Sequence, residues 1–151
     1  MIALRDRLPL PEKRAAIIAD CTRLLDDEVR RKKGVSGLAI RAGYKVLKAF
    51  KSNAIPDAID GLLDDFIDSL DPLHESYLED ARGASSLGGF LEARRGETAE
   101  ALVGVTDRRA EKSRHTTLVK GYRKLRPIAL DHVSQAVPGL AALFDRYYQP
   151  A

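Results

Sequence analysis

In residues 55–70, IPDAIDGLLDDFIDSL, the apolar side chains Ile59, Leu62, Leu63, Phe66, Ile67 and Leu70 return every three or four residues, and aspartates fill most of the gaps. That spacing gathers the apolar groups on one side of an α-helix, whereas in a strand it would scatter them to both faces. The same period recurs along the chain, and no run alternates apolar with polar residues as a half-buried strand would. The sequence therefore predicts an all-α protein, a compact helical bundle of about six or seven helices. A chain of 151 residues fits one core. Residues 1–151 are read as a single helical domain, with an N-terminal arm at 1–10 and a loop at 82–89.

Local signals place the helices. The first is expected from Pro11 or Glu12, with a stripe of Ile17, Ile18, Cys21, Leu24, Leu25 and Val29. It should end in RRKKG, where cations meet the negative end of the helix dipole and Gly34 supplies the cap. Ser36 is expected to cap a second helix that runs to about Lys51. On it Arg41, Tyr44, Lys45, Lys48 and Lys51 share one face. Val35, Ala39, Ala42, Gly43, Val46, Leu47 and Phe50 share the other, which is expected to enter the core. A third helix starts near Pro56, and helices one to three should form the central packing unit. Asp71-Pro72 reads as the N-cap and first-turn proline of a further helix with Leu73, Tyr77 and Leu78. A short helix at about 86–95 should stop at Arg94-Arg95-Gly96, and Thr98 should cap another to about Glu111. A helix from about Arg114 to Leu125 is expected to kink or restart at Pro127, and a last one to begin at Pro138.

Charge is distributed in blocks. Residues 1–53 hold 13 Lys/Arg against 6 Asp/Glu, residues 54–81 hold none against 9, and residues 82–151 hold 12 against 7. An acidic segment thus lies between two basic ones. The net charge of +3 is too small to argue for nucleic acid, and the absence of Trp removes the strongest stacking group for single strands. Cys21 is alone, so no internal disulfide forms, and its place in an apolar stripe predicts a buried, inert thiol. A reducing, cytoplasmic compartment is the expectation. No stretch has the length and apolarity of a membrane span, and the charged N-terminus lacks a signal-peptide core.

Asp64, Asp65 and Asp68 spell DDxxD and resemble the first magnesium-diphosphate motif of the trans-isoprenyl diphosphate synthases, which are also all-helical. The resemblance implies a Mg²⁺-dependent enzyme or binder of a phosphorylated ligand, with these three carboxylates on the metal. The chain departs from that family in three ways. It has about half the expected length, no second aspartate-rich helix follows, and Arg94-Arg95-Gly96 lies far from the motif. The preferred reading is a ridge, Asp57, Asp60, Asp64 and Asp68, on the wet side of an amphipathic helix. The basic face of the preceding helix, Arg41, Lys45 and Lys48, is expected to compensate it.

Other candidates are weaker. The second helix has the cationic and apolar faces of an interfacial membrane helix, but its small residues fit tight protein packing better. Arg108, Arg109, Lys112, Arg114, His115, Lys120, Arg123, Lys124 and Arg126 form a basic run able to follow a phosphate backbone. His74, His115 and His132 are too widely spaced for a metal site, and no metal or cofactor is expected. Ser85-Ser86 lacks the strand-turn-helix setting of a serine nucleophile, and ASSLGG lacks the lysine of a P-loop.

The segment Lys33 to Tyr77, with KGVSGLAIRAGYKVLKAFK followed by IPDAIDGLLDDFIDSLDP, resembles a family of small bacterial proteins with no assigned function. The resemblance implies an all-helical cytosolic protein and carries over no activity and no site. The reading from the residues is a non-enzymatic interaction or adaptor module, with a protein partner or self-association. Its contact surfaces would be the acidic ridge and the basic surface.

Overall fold

The computed structural model describes residues 2–150, apart from the side chains of Ser36, Phe50 and Leu118. A 3-10 turn at Leu4–Arg7 precedes seven helices: α1 (Leu10–Arg31), α2 (Gly34–Phe50), α3 (Ala54–Ser69), α4 (Asp71–Glu79), α5 (Leu87–Ala93), α6 (Arg95–Lys112) and α7 (Thr116–Tyr147). No strand occurs among the described residues, as the apolar periodicity predicts. The chain divides into two compact units. One is Pro9–Asp64; the other joins the residues up to Leu8 to those from Asp65 onward. The division falls within α3.

In the Pro9–Asp64 unit, α1 opens with Pro11 in its first turn, where a missing N–H costs nothing. It ends at Arg31, and Lys32 is the C-cap, its N–H bonded to the Val29 carbonyl. Gly34, expected as the cap, instead opens α2 with φ of +77°. Lys33 is the N-cap of α2, so Ser36 falls inside the first turn, and its side chain lies outside the described residues. Gly37 permits the tight corner between α1 and α2, since a Cβ there would come within 2.7 Å of the Lys32 carbonyl carbon. The buried apolar residues of this unit are Ile17, Val29, Ile55 and Leu63. Asp20, Glu28 and Lys32 are buried beside them, with Lys32 Nζ 3.4 Å from Glu28. Cys21 is half-buried rather than enclosed; burial still pushes its thiol up to about 11. The apolar face of α2 does not enter the core: Val35, Leu38, Ala39, Ala42, Val46 and Leu47 are all exposed, and Phe50 lies outside the described side chains.

In the second unit the N-terminal arm is folded in. Leu4 and Leu8 are buried, the Leu4 N–H donates to the Asp71 carboxylate at 2.8 Å, and the Gln149 N–H donates to the Arg7 carbonyl at 2.7 Å. Asp71 is therefore not the cap of α4; Leu70 holds that position without a side-chain bond. Ser86 caps α5, accepting from the Gly89 N–H at 3.0 Å, and residues 87–89, where the expected loop and the expected short helix overlap, are helical. Helices α5 and α6 pack on α7, with α5 also against α4 and α6.

The expected helix stop at Arg94 is present: α5 ends at Ala93, and the non-helical Arg94 (φ −112°, ψ 46°) is both its C-cap and the N-cap of α6. Thr98 lies inside α6, fully buried, with its hydroxyl shared between the Leu91 and Arg94 carbonyls at 3.0 Å each. Pro127 and Pro138 both lie inside the continuous α7. Each removes one N–H and frees the carbonyl four residues earlier, those of Arg123 and Ser134. The prolines are eleven residues apart, close to three turns, so both losses fall on one side of the helix. Val137, Ala141 and Phe144 are buried and hold the helix through the second proline.

Candidate functional site

Each aspartate of the acidic ridge of α3 is paired within the chain, with Asp60 and Asp64 sharing one arginine. Asp57 meets Lys51 Nζ at 2.8 Å, Asp60 meets Arg14 Nε at 2.8 Å, and Asp64 meets Arg14 Nη2 at 3.3 Å. Asp68 takes two bonds from Arg5, at 2.9 and 2.8 Å, and Asp65 takes one from Arg109 at 3.0 Å. Hydrogen bonds to Asp60 and then Asp64 raise the Arg14 pKa above its ordinary value. The predicted partners do not serve. Arg41 and Lys45 make no ion pair among the described residues, and Lys48 turns to Asp26 at 3.4 Å with its ammonium over the Tyr44 ring. The reason is the side of α2 that faces α1. The Tyr44 hydroxyl donates to Asp26 of α1, which draws the Tyr44–Lys48 edge inward.

The same pairs occupy the DDxxD carboxylates. Asp64, Asp65 and Asp68 are held by three different arginines, Arg14, Arg109 and Arg5. Among the described residues no group of three His, Cys, Asp or Glu side chains is placed to hold a metal ion. These pairs are largely exposed, so each contributes at most about 1 kcal/mol.

The basic run does not lie on one helix. It covers the end of α6, a short link and the start of α7. Arg109 is taken by Asp65, and Arg126 by Asp107 at 2.9 Å and Glu100 at 3.2 Å. The Arg126 hydrogen bond holds Asp107 below the usual carboxylate range, with Tyr122 donating to the same carboxylate. Arg108, Arg123 and Lys124 are exposed, with no ion pair among the described residues.

His74 is 1% exposed. Its Nε2 lies 2.8 Å from the Tyr148 hydroxyl, and its Nδ1 has no hydrogen-bond partner among the described residues. Burial depresses its pKa; Asp71 and Glu75 oppose the shift and Arg7 adds to it. An open groove of about 910 Å³ is lined by Leu73, Ala99, Pro127 and Leu130, with Glu97, Glu100 and Asp131 among its polar residues. Its glutamates are already engaged, Glu97 by Arg94 and Glu100 by Arg126.

Helix α2 carries four exposed large apolar side chains among the described residues, Val35, Leu38, Val46 and Leu47. Val35 is 88% exposed, Leu38 61% and Val46 69%. At 100° per residue Val35, Ala39, Ala42 and Val46 form a narrow strip with Leu38 at its edge. Arg41 and Lys45 lie along that same edge, while Gly43 and Leu47 border the other. On the opposite side Tyr44 meets Asp26 of α1 and Gly37 meets Lys32, the C-cap of α1. The helix carries three cations and no anion. The apolar strip was legible in the sequence, but nothing local distinguishes a face that enters a core from one left open. No described helix is long and apolar enough to cross a membrane.

No curated protein and no solved structure matches the chain. The model of a family of unknown function, DUF6918, does match it over residues 4–148, nearly its whole length, and the chain belongs to that family.

Proposed function

We propose that the chain is a non-enzymatic docking module that binds another protein through the exposed face of α2. The observation that carries this reading is the strip of Val35, Leu38 and Val46, which the fold leaves in water. Scattered exposed apolar residues are ordinary, but a contiguous strip on one helix marks a contact surface. The acidic ridge, Asp57, Asp60, Asp64 and Asp68, is paired internally and offers less to a partner. No step of this reading needs a cofactor or a metal.

The test is purification of the tagged chain from its own cells beside a Leu38→Gln/Val46→Gln variant. Both should give the same helical circular dichroism and melting temperature, because both side chains are exposed. The unaltered chain should retain a stoichiometric protein that the variant loses. Equal retention by both, or by neither, sinks the reading.

A second reading rests on Arg108, Arg123 and Lys124, which are exposed and have no ion pair among the described residues. A polyanion on that surface would make heparin retention fall steeply with salt, and Arg123→Ala/Lys124→Ala would abolish most of it. Retention indifferent to both substitutions removes this second reading.

A further inference from the structure

Three occupants can cover an apolar helix face that carries only positive charge: a second copy of the chain, an anionic bilayer, or a helix with acidic residues of its own. The arrangement of residues on α2 separates them. Resting on the docking role of α2, we infer that its partner is an amphipathic helix of another protein, with an apolar strip flanked on one side by Asp or Glu.

Charge is the first argument. Arg41 and Lys45 are exposed and lack an ion pair among the described residues, and α2 holds no acidic residue to meet a like helix. In an antiparallel pair of identical helices the same flank meets itself. Arg41 and Lys45 of one copy would then face Arg41 and Lys45 of the other, a like-charge contact that disfavours pairing. The α3 acids of a second copy do not supply the counter-charge, since each is engaged by Arg14, Arg5, Arg109 or Lys51.

Shape is the second. The strip consists largely of small and β-branched side chains, Val35, Ala39, Ala42, Val46 and Ala49, with Gly43 at its border. Small side chains let two helix axes approach to about 8 Å and interlock. The same residues gain little from acyl chains, where large apolar side chains drive insertion. A helix lying on a bilayer also benefits from cations on both flanks of its apolar face. Here Arg41 and Lys45 lie on one flank, and Gly43 and Leu47 hold the other. A single cationic flank matches a single acidic flank on a crossing helix.

The experiment places the photo-crosslinking residue p-benzoylphenylalanine at Ala42, in the centre of the strip, in the full chain expressed in its own cells. Irradiated adducts are digested and the attached segment is sequenced by mass spectrometry. The expected segment has helical apolar spacing with Asp or Glu along one flank. Arg41→Glu/Lys45→Glu should lower adduct yield about tenfold, while Arg41→Lys/Lys45→Arg should preserve it. Circular dichroism checks that each variant is folded.

An attached segment of another protein without acidic residues overturns the inference and leaves the docking role of α2 standing, whereas a segment from this same chain overturns both. Binding to vesicles of equal parts phosphatidylglycerol and phosphatidylcholine that disappears with Leu38→Gln/Val46→Gln also overturns it, in favour of a lipid surface. No adduct of any kind overturns both the inference and the docking role.

Discussion

The Arg14 guanidinium donates twice to Asp60, from Nε to the carboxylate at 2.8 Å and from Nη2 to the backbone carbonyl at 2.9 Å. It also reaches Asp64 one turn further along α3, so one cation sits between two like charges spaced i, i+4. Arg14→Ala should lower stability by about 1 kcal/mol, since the pairs are exposed but the two aspartates would be left to repel. Asp64→Asn with Asp68→Asn should also lower it, by about 0.5–1 kcal/mol, because it removes partners of Arg14 and Arg5 rather than relieving repulsion. Urea unfolding at low and high salt measures both. A gain in stability from the double Asn variant would show that the pairs do not form in solution.

His74 gives a pH dependence with a defined sign. Burial lowers its pKa below 6.5, so the unfolded chain binds the proton more tightly than the folded one. Its contribution to stability is complete above the unfolded value and declines as pH falls through that value and below. The melting temperature should therefore drop between about pH 7.5 and about pH 5. His74→Gln, which cannot titrate, should flatten that drop while lowering stability at both values. An unchanged slope in the variant would assign the pH dependence to another group.

Helix content was legible along the whole chain because the apolar period of α1, α3 and α7 is local information. The junctions were not. A serine, threonine or aspartate before a helix can cap it or reach elsewhere: Ser86 caps α5, whereas Asp71 and Thr98 bond elsewhere. Asp71 holds Leu4 from 67 residues away, and Thr98 bonds back to Leu91 across the α5–α6 junction. The ridge on α3 was visible as a pattern, but its partners Arg14, Arg5 and Arg109 are set by tertiary placement, which no local spacing encodes. The strip on α2 was found and assigned to the wrong side of the surface for the same reason.

Gly88 and Asp145 form a tertiary contact that no sequence signal marks. The Asp145 carboxylate accepts from the Gly88 N–H at 2.8 Å and from the Ser86 hydroxyl at 3.0 Å, tying the start of α5 to α7. A Cβ on Gly88 would lie 2.3 Å from the Ala141 carbonyl oxygen and 2.4 Å from Asp145 Oδ2. Gly88→Ala should therefore cost about 3 kcal/mol by forcing the helices apart. The adjacent Gly89→Ala meets only Ser86 Oγ at 3.4 Å and should change stability by less than about 1 kcal/mol. Chemical denaturation of the two variants side by side checks this; equal effects would mean that α5 does not approach α7 as described.

Pro127 lies inside α7 without ending it, so removing it should strengthen the helix. Pro127→Ala restores an N–H that can bond the Arg123 carbonyl, and interior proline costs a helix about 3 kcal/mol. The gain is offset by the greater freedom of alanine in the unfolded chain, about 1 kcal/mol, and by loss of the ring from the groove beside Leu130. The net expectation is a rise of about 1 kcal/mol in urea unfolding with no change in the helical spectrum. A fall would show instead that the helix bends at Pro127 and that its ring packs where a straight helix cannot.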